Sequence, residues 1–219
     1  MNNLRLIWTW IQHEWRMELR QKAGIQGALL YVVVTLVVAY QAIGAVQDIE
    51  TWVGLLWIIL LFSVVNSSSR AFSAEGTGKK ILLYFWLKPG QLILARMGYQ
   101  MMFNGLTGIM GFSMFGILMG IPGNGVGMLV LLVAAGSAAA AALGTFMAAI
   151  ASVAGNGAGL SAVLGLPLMV PTLMAASKGS IFCLQGGISQ AQMYLAMLLL
   201  LTTLVVSLGY ILFPYLWRD

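Results

Sequence analysis

Charged side chains are scarce in this sequence. Only 8% of its 219 residues are Asp, Glu, Lys or Arg, while 60% are hydrophobic and the mean hydropathy is +0.92. A soluble globular domain carries about 25% charged residues. The composition therefore excludes a water-soluble globule and indicates a chain whose solvent is a lipid bilayer.

Cysteine and histidine are almost absent. The single cysteine, Cys183, excludes an intramolecular disulfide and a cysteine cluster, and the single histidine, His13, has no second imidazole to help it hold haem or metal. Gly76–Lys80 departs from the phosphate-loop pattern, because Ser73 stands at the first glycine and Lys80 replaces Ser or Thr. A serine nucleophile would lack a base. We expect no enzyme active site, no stably bound cofactor and no ATP site on this chain.

Six apolar runs are long enough to cross a membrane, since about 20 helical residues span its hydrocarbon core. The predicted spans are Gly27–Val46, Trp52–Ser68, Leu92–Gly120, Gly127–Val153, Leu160–Ala176 and Ala191–Phe213. A loop of about a dozen residues around Cys183 is expected between the last two, by the same length criterion. Only short connections remain, so residues 1–219 are predicted to form one all-α integral membrane domain.

Two segments outside the spans carry most of the charge. An apolar stripe recurs at helical spacing opposite arginines in residues 1–22, made of Leu4, Trp8, Ile11, Trp15 and Leu19. It predicts an amphipathic helix in the headgroup layer, and a simple juxtamembrane anchor is the alternative. Residues 69–90 begin polar and turn aromatic. They predict a short cytoplasmic helix that docks on a soluble partner. The alternative is that these aromatic residues form the interfacial belt of the third span.

The basic residues fix the expected orientation. With the N-terminus in the cytoplasm, ten of the eleven Lys and Arg residues lie on the cytoplasmic side, and only Lys178 lies on the other. This asymmetry follows the positive-inside rule and predicts that both termini are cytoplasmic. It also explains the net charge of +5 without a nucleic-acid partner.

Small residues and prolines mark two of the spans. Gly136, Ala140, Gly144 and Ala148 follow one another every four residues, forming a ridge that lets another helix approach closely. Packing within the bundle is the favoured interpretation, and a homodimer seam is the alternative. Pro167 and Pro171 interrupt the hydrogen bonding of the fifth span, as either a gate or a passive bend.

The order of these features resembles the permease subunits of ABC-2 type exporters. Local motifs are similar to the haem exporter B (CcmB) family, the cytochrome c maturation permease, in the form found in Bacteroidetes-like bacteria. The motifs are Trp15–Lys22, Leu30–Val33, Arg70–Phe72 leading to Tyr84, Lys88–Arg96 and Leu164–Pro171. One departure is the turn Val153–Gly159, which lacks the basic residue that many members carry.

The resemblance implies a non-catalytic permease subunit of the bacterial inner membrane, working as a homodimer within a larger complex. A separate ATPase subunit (the A component) would bind ATP, and the C and D components would handle haem, the cargo delivered to the periplasmic face. The alternatives are another cargo (a drug, lipid or glycan) or a scaffold that rearranges haem-carrying partners. The implied site residues are Glu18 and Arg20 in the amphipathic helix, Arg70, Phe72, Glu75 and Lys88 in the ATPase-coupling loop, and Pro167 and Pro171 in the moving helix.

Overall fold

Seven helices make up nearly all of the described structure. The computed structural model describes residues 3–21, 23–46, 48–69, 89–123, 125–153 and 157–216. The helices are α1 (Asn3–Gln21), α2 (Ala23–Ile43), α3 (Ile49–Ser69), α4 (Pro89–Met119), α5 (Val126–Val153), α6 (Gly157–Leu184) and α7 (Ile188–Leu216). The predicted all-α architecture with an N-terminal helix before the spans is confirmed.

The six helices α2–α7 are long and apolar enough to cross a membrane. They match the six predicted spans in order and differ from them chiefly at the ends. The longest, α4, has 31 residues. At 1.5 Å per residue it is about 46 Å long, which exceeds the roughly 30 Å hydrocarbon core. Either α4 is tilted or its ends extend into the headgroup layers.

Short connections at one end of the bundle hold neighbouring helices together; we call this the short-loop end, and its described residues are 44–46, 48, 120–123, 125 and 185–187. The Trp52 indole Nε1 of α3 donates a hydrogen bond to the Gly120 carbonyl at 2.7 Å. The Cys183 thiol of α6 donates to the Gly125 carbonyl at 3.3 Å. A Cβ atom at Gly123, where φ is +130°, would lie 2.6 Å from the Leu184 carbonyl oxygen, so this turn requires glycine.

Asp48 caps the N-terminus of α3 at the short-loop end. Its Oδ2 accepts hydrogen bonds from the Thr51 hydroxyl at 2.6 Å and from the Thr51 backbone N–H at 2.8 Å. Both bonds favour the ionised carboxylate, so they lower the pKa of Asp48. This is the expected chemistry of an N-cap, where a side-chain oxygen takes up a backbone donor that has no partner within the helix.

The central element of the bundle is α5, which packs on α3, α4, α6 and α7. Its interior positions are mostly alanine and glycine, and Ala141–Ala149 is buried without interruption. The larger side chains of the neighbouring helices fill the space around it, including Trp52, Trp57 and Phe115 towards the short-loop end and Ile93, Met97 and Phe213 towards the other. By contrast, α2 and α7 expose many large apolar side chains, as helices that face lipid would.

The expected loop around Cys183 is wrong. Helix α6 continues to Leu184, and a three-residue turn, 185–187, leads directly into α7. Tertiary contacts explain the difference, because the Ser180 hydroxyl accepts a hydrogen bond from Trp57 Nε1 at 3.1 Å while Cys183 and Leu184 are buried in the core. Beyond the end of the helix at Leu184, Gly186 adopts φ +87° and lets the Gly187 N–H donate to the Phe182 carbonyl.

Candidate functional site

The opposite end of the bundle carries the features that sequence reasoning linked to a partner; we call it the basic end. It consists of α1, the C-terminal part of α3 and the N-terminal part of α4. The last two helix ends flank residues 70–88, so they are the two stems of the predicted coupling loop. The predicted coupling residues Arg70, Phe72, Glu75 and Lys88 themselves lie outside the described residues.

Aromatic contacts dock α1 against α4. The Trp15 ring meets Tyr99 edge-on with centroids 6.1 Å apart, and Tyr99 stacks on Phe103 at 6.0 Å. These rings form a small buried cluster with Ala28 of α2. Ile11 packs on Gly98, where a Cβ atom would lie 3.1 Å from the Ile11 Cδ1 atom. Ile11 and Trp15 of the apolar stripe therefore face α4, whereas Trp8 of the same stripe is exposed.

A buried cation lies beneath α1. Arg96 of α4 is only 4% exposed, and Glu14 of α1 is the acidic side chain whose charge acts on its guanidinium. Arg16 and Arg20 of the same helix are exposed. The structure thus turns Glu14 inward and leaves Arg16 and Arg20 on the outer surface. Glu18, the other residue singled out in this segment, also lies on α1.

Hydrogen bonds from two amide side chains of α4 to Ser67 join α4 to α3 within the bundle. Gln100 Nε2 donates to the Ser67 carbonyl at 3.1 Å, and Asn104 Nδ2 donates to the Ser67 hydroxyl oxygen at 3.3 Å. All three residues are buried, and Asn104 is the midpoint of α4, with 15 residues on either side. Interhelical hydrogen bonds of this kind fix the position of one membrane helix against another.

Three buried polar atoms near this network have no hydrogen-bond partner among the residues that the structure describes. They are Asn104 Oδ1, Ser68 Oγ and Ser137 Oγ, one each from α4, α3 and α5. Ser68 faces α5 at Gly144, and Ser137 faces α4 at Gly108, one turn beyond Asn104. We refer to Ser67, Ser68, Gln100, Asn104 and Ser137 as the polar cluster.

The small residues of the predicted ridge lie in the interior of the bundle. Gly136 sits under the Trp57 ring, and a Cβ atom there would also lie 3.1 Å from Ala176 Cβ of α6. A Cβ atom at Gly144 would lie 2.6 Å from Ser68 Oγ. Ala140 and Ala148 are buried at the successive positions between and beyond them. All four residues therefore contact or face other helices of the same chain.

The two prolines occupy a different surface. Pro167 and Pro171 are both exposed on α6, which runs through them as one helix. They do not contribute to the polar cluster or to the surface where α1 meets α4. Their exposed neighbours Leu166, Leu168 and Val170 are apolar, which is typical of a surface in contact with lipid.

Sequence reasoning missed the burial of Arg96 and the role of Ser67 and Ser68. The charge count places Arg96 among the ten cations expected on the cytoplasmic side, yet it lies seven residues into α4 and is buried. The four-residue spacing of Gln100 and Asn104 was the available signal, because it places both amides on one face of α4. Which helix that face meets depends on the packing.

The structure gives no sign of a metal centre in the part of the chain that it describes, since no three His, Cys, Asp or Glu residues cluster there. His13 is exposed on α1 beside Trp10, with ring centroids 5.5 Å apart. Cys183 is a buried free thiol. The notable features of the described residues are instead the N-terminal helix α1 packed on α4 and the polar cluster between α3, α4 and α5.

Together these features define an all-helical, multi-pass membrane protein, with six helices long and apolar enough to cross a membrane in the part of the chain that the structure describes. Comparison with known proteins makes the assignment specific. The CcmB protein family matches residues 5–215, so the chain belongs to the CcmB family. It is also similar to heme exporter protein B of Pseudomonas aeruginosa, with 26% identity over 181 residues that cover 80% of this chain and 81% of that protein. The resemblance noted from the sequence is confirmed.

Proposed function

We propose that this chain is the permease subunit of an ABC-type haem exporter that serves cytochrome c maturation. A separate ATPase binds ATP and docks at the basic end, and the complex delivers haem to the periplasmic side. Support comes from membership of the CcmB family and from similarity to a protein named heme exporter protein B. The chain itself carries no phosphate-loop motif, so energy must come from a partner.

The coupling role is supported by one observation. The two helix ends that flank residues 70–88, at the basic end, are held to the rest of the bundle by direct contacts. The end of α3 is hydrogen-bonded to α4 through Ser67, and α4 is packed on α1 through Tyr99. A partner that moved residues 70–88 would therefore move α3 and α4 directly. Such a movement shifts the bundle between two packings, which is how a ligand-driven population change is transmitted.

The same end is proposed to face the cytoplasm. Four of the described cations, Arg5, Arg16, Arg20 and Arg96, lie at the basic end, whereas Lys178 lies near the short-loop end together with Asp48 and Glu50. Cytoplasmic connections carry the excess of Lys and Arg in membrane proteins. Both termini would then be cytoplasmic, in the bacterial inner membrane, where a soluble ATPase can reach residues 70–88.

Co-purification of the ATPase subunit tests the docking site. Phe72→Ala and Glu75→Lys should each lower the amount of ATPase recovered with the tagged permease, while membrane insertion stays normal. Phe62→Ala on the exposed surface of α3 and Glu50→Lys at the short-loop end are matched controls that should leave recovery unchanged. Unchanged recovery with both loop variants would remove the docking role of this segment.

Haem delivery is tested separately by deleting the gene. The deletion strain should lose covalent haem from its periplasmic c-type cytochromes, retain its b-type haem proteins, and recover when the wild-type gene is returned. Normal c-type cytochrome content in the deletion strain would refute the function. Homodimer formation and assembly with haem-handling membrane subunits belong to the same proposal, and both can be measured on the purified complex.

A further inference from the structure

The polar cluster is an unusual feature for the interior of a membrane protein, because it leaves polar atoms unpaired where hydrocarbon surrounds the bundle. Ser68, Asn104 and Ser137 are each at most 2% exposed. Their Oγ, Oδ1 and Oγ atoms have no hydrogen-bond partner in the described part of the chain. An unpaired buried polar group destabilises the packing that contains it. Such groups call for a physical explanation when they occur in a native structure.

The unpaired atoms are chemically complementary. A serine hydroxyl can donate one hydrogen bond and an amide oxygen accepts, so Asn104 Oδ1 and a serine hydroxyl can pair in a helix packing that brings them together. The three atoms belong to three different helices, α3, α4 and α5, which pack against one another. A small rotation or translation of one helix would change which atoms are paired.

The serine run at the end of α3 offers a second set of partners. In the described packing, Ser67 accepts the hydrogen bonds of Gln100 and Asn104, while Ser68 faces Gly144 of α5. Adjacent residues on a helix point about 100° apart. A shift confined to the last turn of α3 would change which of the two hydroxyls faces Asn104. Trp52 and Trp57, which hold the first half of α3 by hydrogen bonds to Gly120 and Ser180, would stay in place.

The polar cluster lies where a movement of residues 70–88 would reach the bundle. Ser67 and Ser68 lie in the last turn of α3, which leads directly into residues 70–88. Glycines surround the cluster on the other two helices, with Gly108 against Ser137 and Gly144 against Ser68. Small residues let helices slide without a change of side-chain conformation.

We propose that the polar cluster is a joint at which α3 and α4 change their packing against each other and against α5 during the transport cycle. The proposal rests on the proposed function, which supplies the driving movement at residues 70–88. The unpaired atoms raise the free energy of the described packing and so keep a second packing, in which they are paired, within reach. Removing them stabilises the described packing and slows the exchange between the two.

The test is the double variant Ser68→Ala/Ser137→Ala, made in the full chain and assembled with its partner subunits. Each substitution removes an unpaired hydroxyl and adds no bulk. The midpoint of thermal unfolding should rise, amide hydrogen exchange in α3 and α4 should slow at least two-fold, and covalent haem attachment in cells should slow at least two-fold. Ordinary structural serines would show the opposite change in stability.

Ser180→Ala is the matched control, because it is the same substitution at a buried serine that is fully paired. Its hydroxyl accepts from Trp57 Nε1 at 3.1 Å and donates to the Ala176 carbonyl at 2.8 Å. Loss of that acceptor leaves the Trp57 N–H unpaired, so the unfolding midpoint should fall. A higher unfolding midpoint in the double variant and a lower one in Ser180→Ala would distinguish serines that destabilise the described packing from a serine that stabilises it.

Three results would overturn the proposal. The first is a lower unfolding midpoint in the double variant, and the second is unchanged hydrogen exchange in α3 and α4. The third is a higher midpoint with haem attachment at the wild-type rate. Failure of the proposed function looks different, since the deletion strain would then make normal c-type cytochromes. In that case the unfolding midpoint and hydrogen exchange still decide whether the cluster is a joint.

Discussion

Replacing Gly136 by alanine tests whether the small-residue ridge of α5 packs within one chain. The added methyl group would overlap the Trp57 ring of α3 and lie 3.1 Å from Ala176 Cβ of α6. Trp57 is only 4% exposed, and its Nε1 is held by Ser180 at 3.1 Å. The ring therefore cannot move aside without losing a buried hydrogen bond, and the helices must separate instead.

The expected loss can be estimated from two opposing effects. Overpacking a well-filled interior costs about 1–3 kcal/mol. Alanine recovers about 0.5–1 kcal/mol relative to glycine within a helix. The net loss of unfolding free energy is about 1 kcal/mol, within a range of about 0–2.5 kcal/mol. Each kcal/mol lost corresponds to a fall of about 2–4 °C in the unfolding midpoint for a chain of this size.

Thermal unfolding of the purified protein in detergent, with light scattering to follow oligomeric state, measures both outcomes. Gly127→Ala is the control on the same helix, because nothing lies within 4 Å of a Cβ atom there. It should leave the midpoint unchanged or raise it slightly. If Gly136→Ala keeps the wild-type midpoint and instead dissociates a dimer, the ridge is a seam between two copies and the intramolecular interpretation is wrong.

Two further predictions concern the charges at the two ends of the bundle. Glu14→Gln removes the acidic side chain whose charge acts on buried Arg96. Because Glu14 is only half-buried, the expected loss of unfolding free energy is about 1 kcal/mol, between the values for exposed and for buried charge pairs. Arg16→Gln on the exposed surface should change it by less than about 0.5 kcal/mol, and equal effects would contradict the pairing. Asp48→Ala should lower the unfolding midpoint equally at pH 7 and pH 5, and Asp48→Asn much less, because asparagine also caps helices well. The lowered pKa of Asp48 means that its stabilising contribution is complete above the ordinary carboxyl pKa of about 3.9 and is lost as the pH falls further. A difference that shrinks between pH 7 and pH 5 would contradict this.

Helix ends were the least predictable part of the fold. The sequence Ser177–Ser180 contains glycine, lysine and two serines, a composition that favours a loop over an apolar span. The structure makes this stretch helical because Ser180 bonds to Trp57, which lies 123 positions earlier in the chain. No local pattern reports a contact at that separation, so the predicted loop around Cys183 was wrong for a physical reason.

In the candidate site, too, local spacing predicted which faces of the helices are apolar or small, and tertiary packing decided which helix each face meets. The amphipathic spacing of Ile11 and Trp15 correctly predicted that α1 has an apolar stripe, but not that α4 would receive it through Gly98 and Tyr99. The four-residue spacing of glycine and alanine in α5 indicated close approach of other helices. It did not say that Trp57 of α3 would be the group that fills the space above Gly136.

The sequence by itself determined the solvent, the number of spans and the all-helical architecture. These follow from chain composition, because about 20 apolar residues satisfy both the hydrocarbon core and the backbone hydrogen bonds of a helix. Only the tertiary structure decided that Arg96 lies beneath α1 and that Ser68, Asn104 and Ser137 are buried unpaired where three helices meet. Those outcomes depend on how each helix is rotated about its axis, and packing against distant segments sets that rotation.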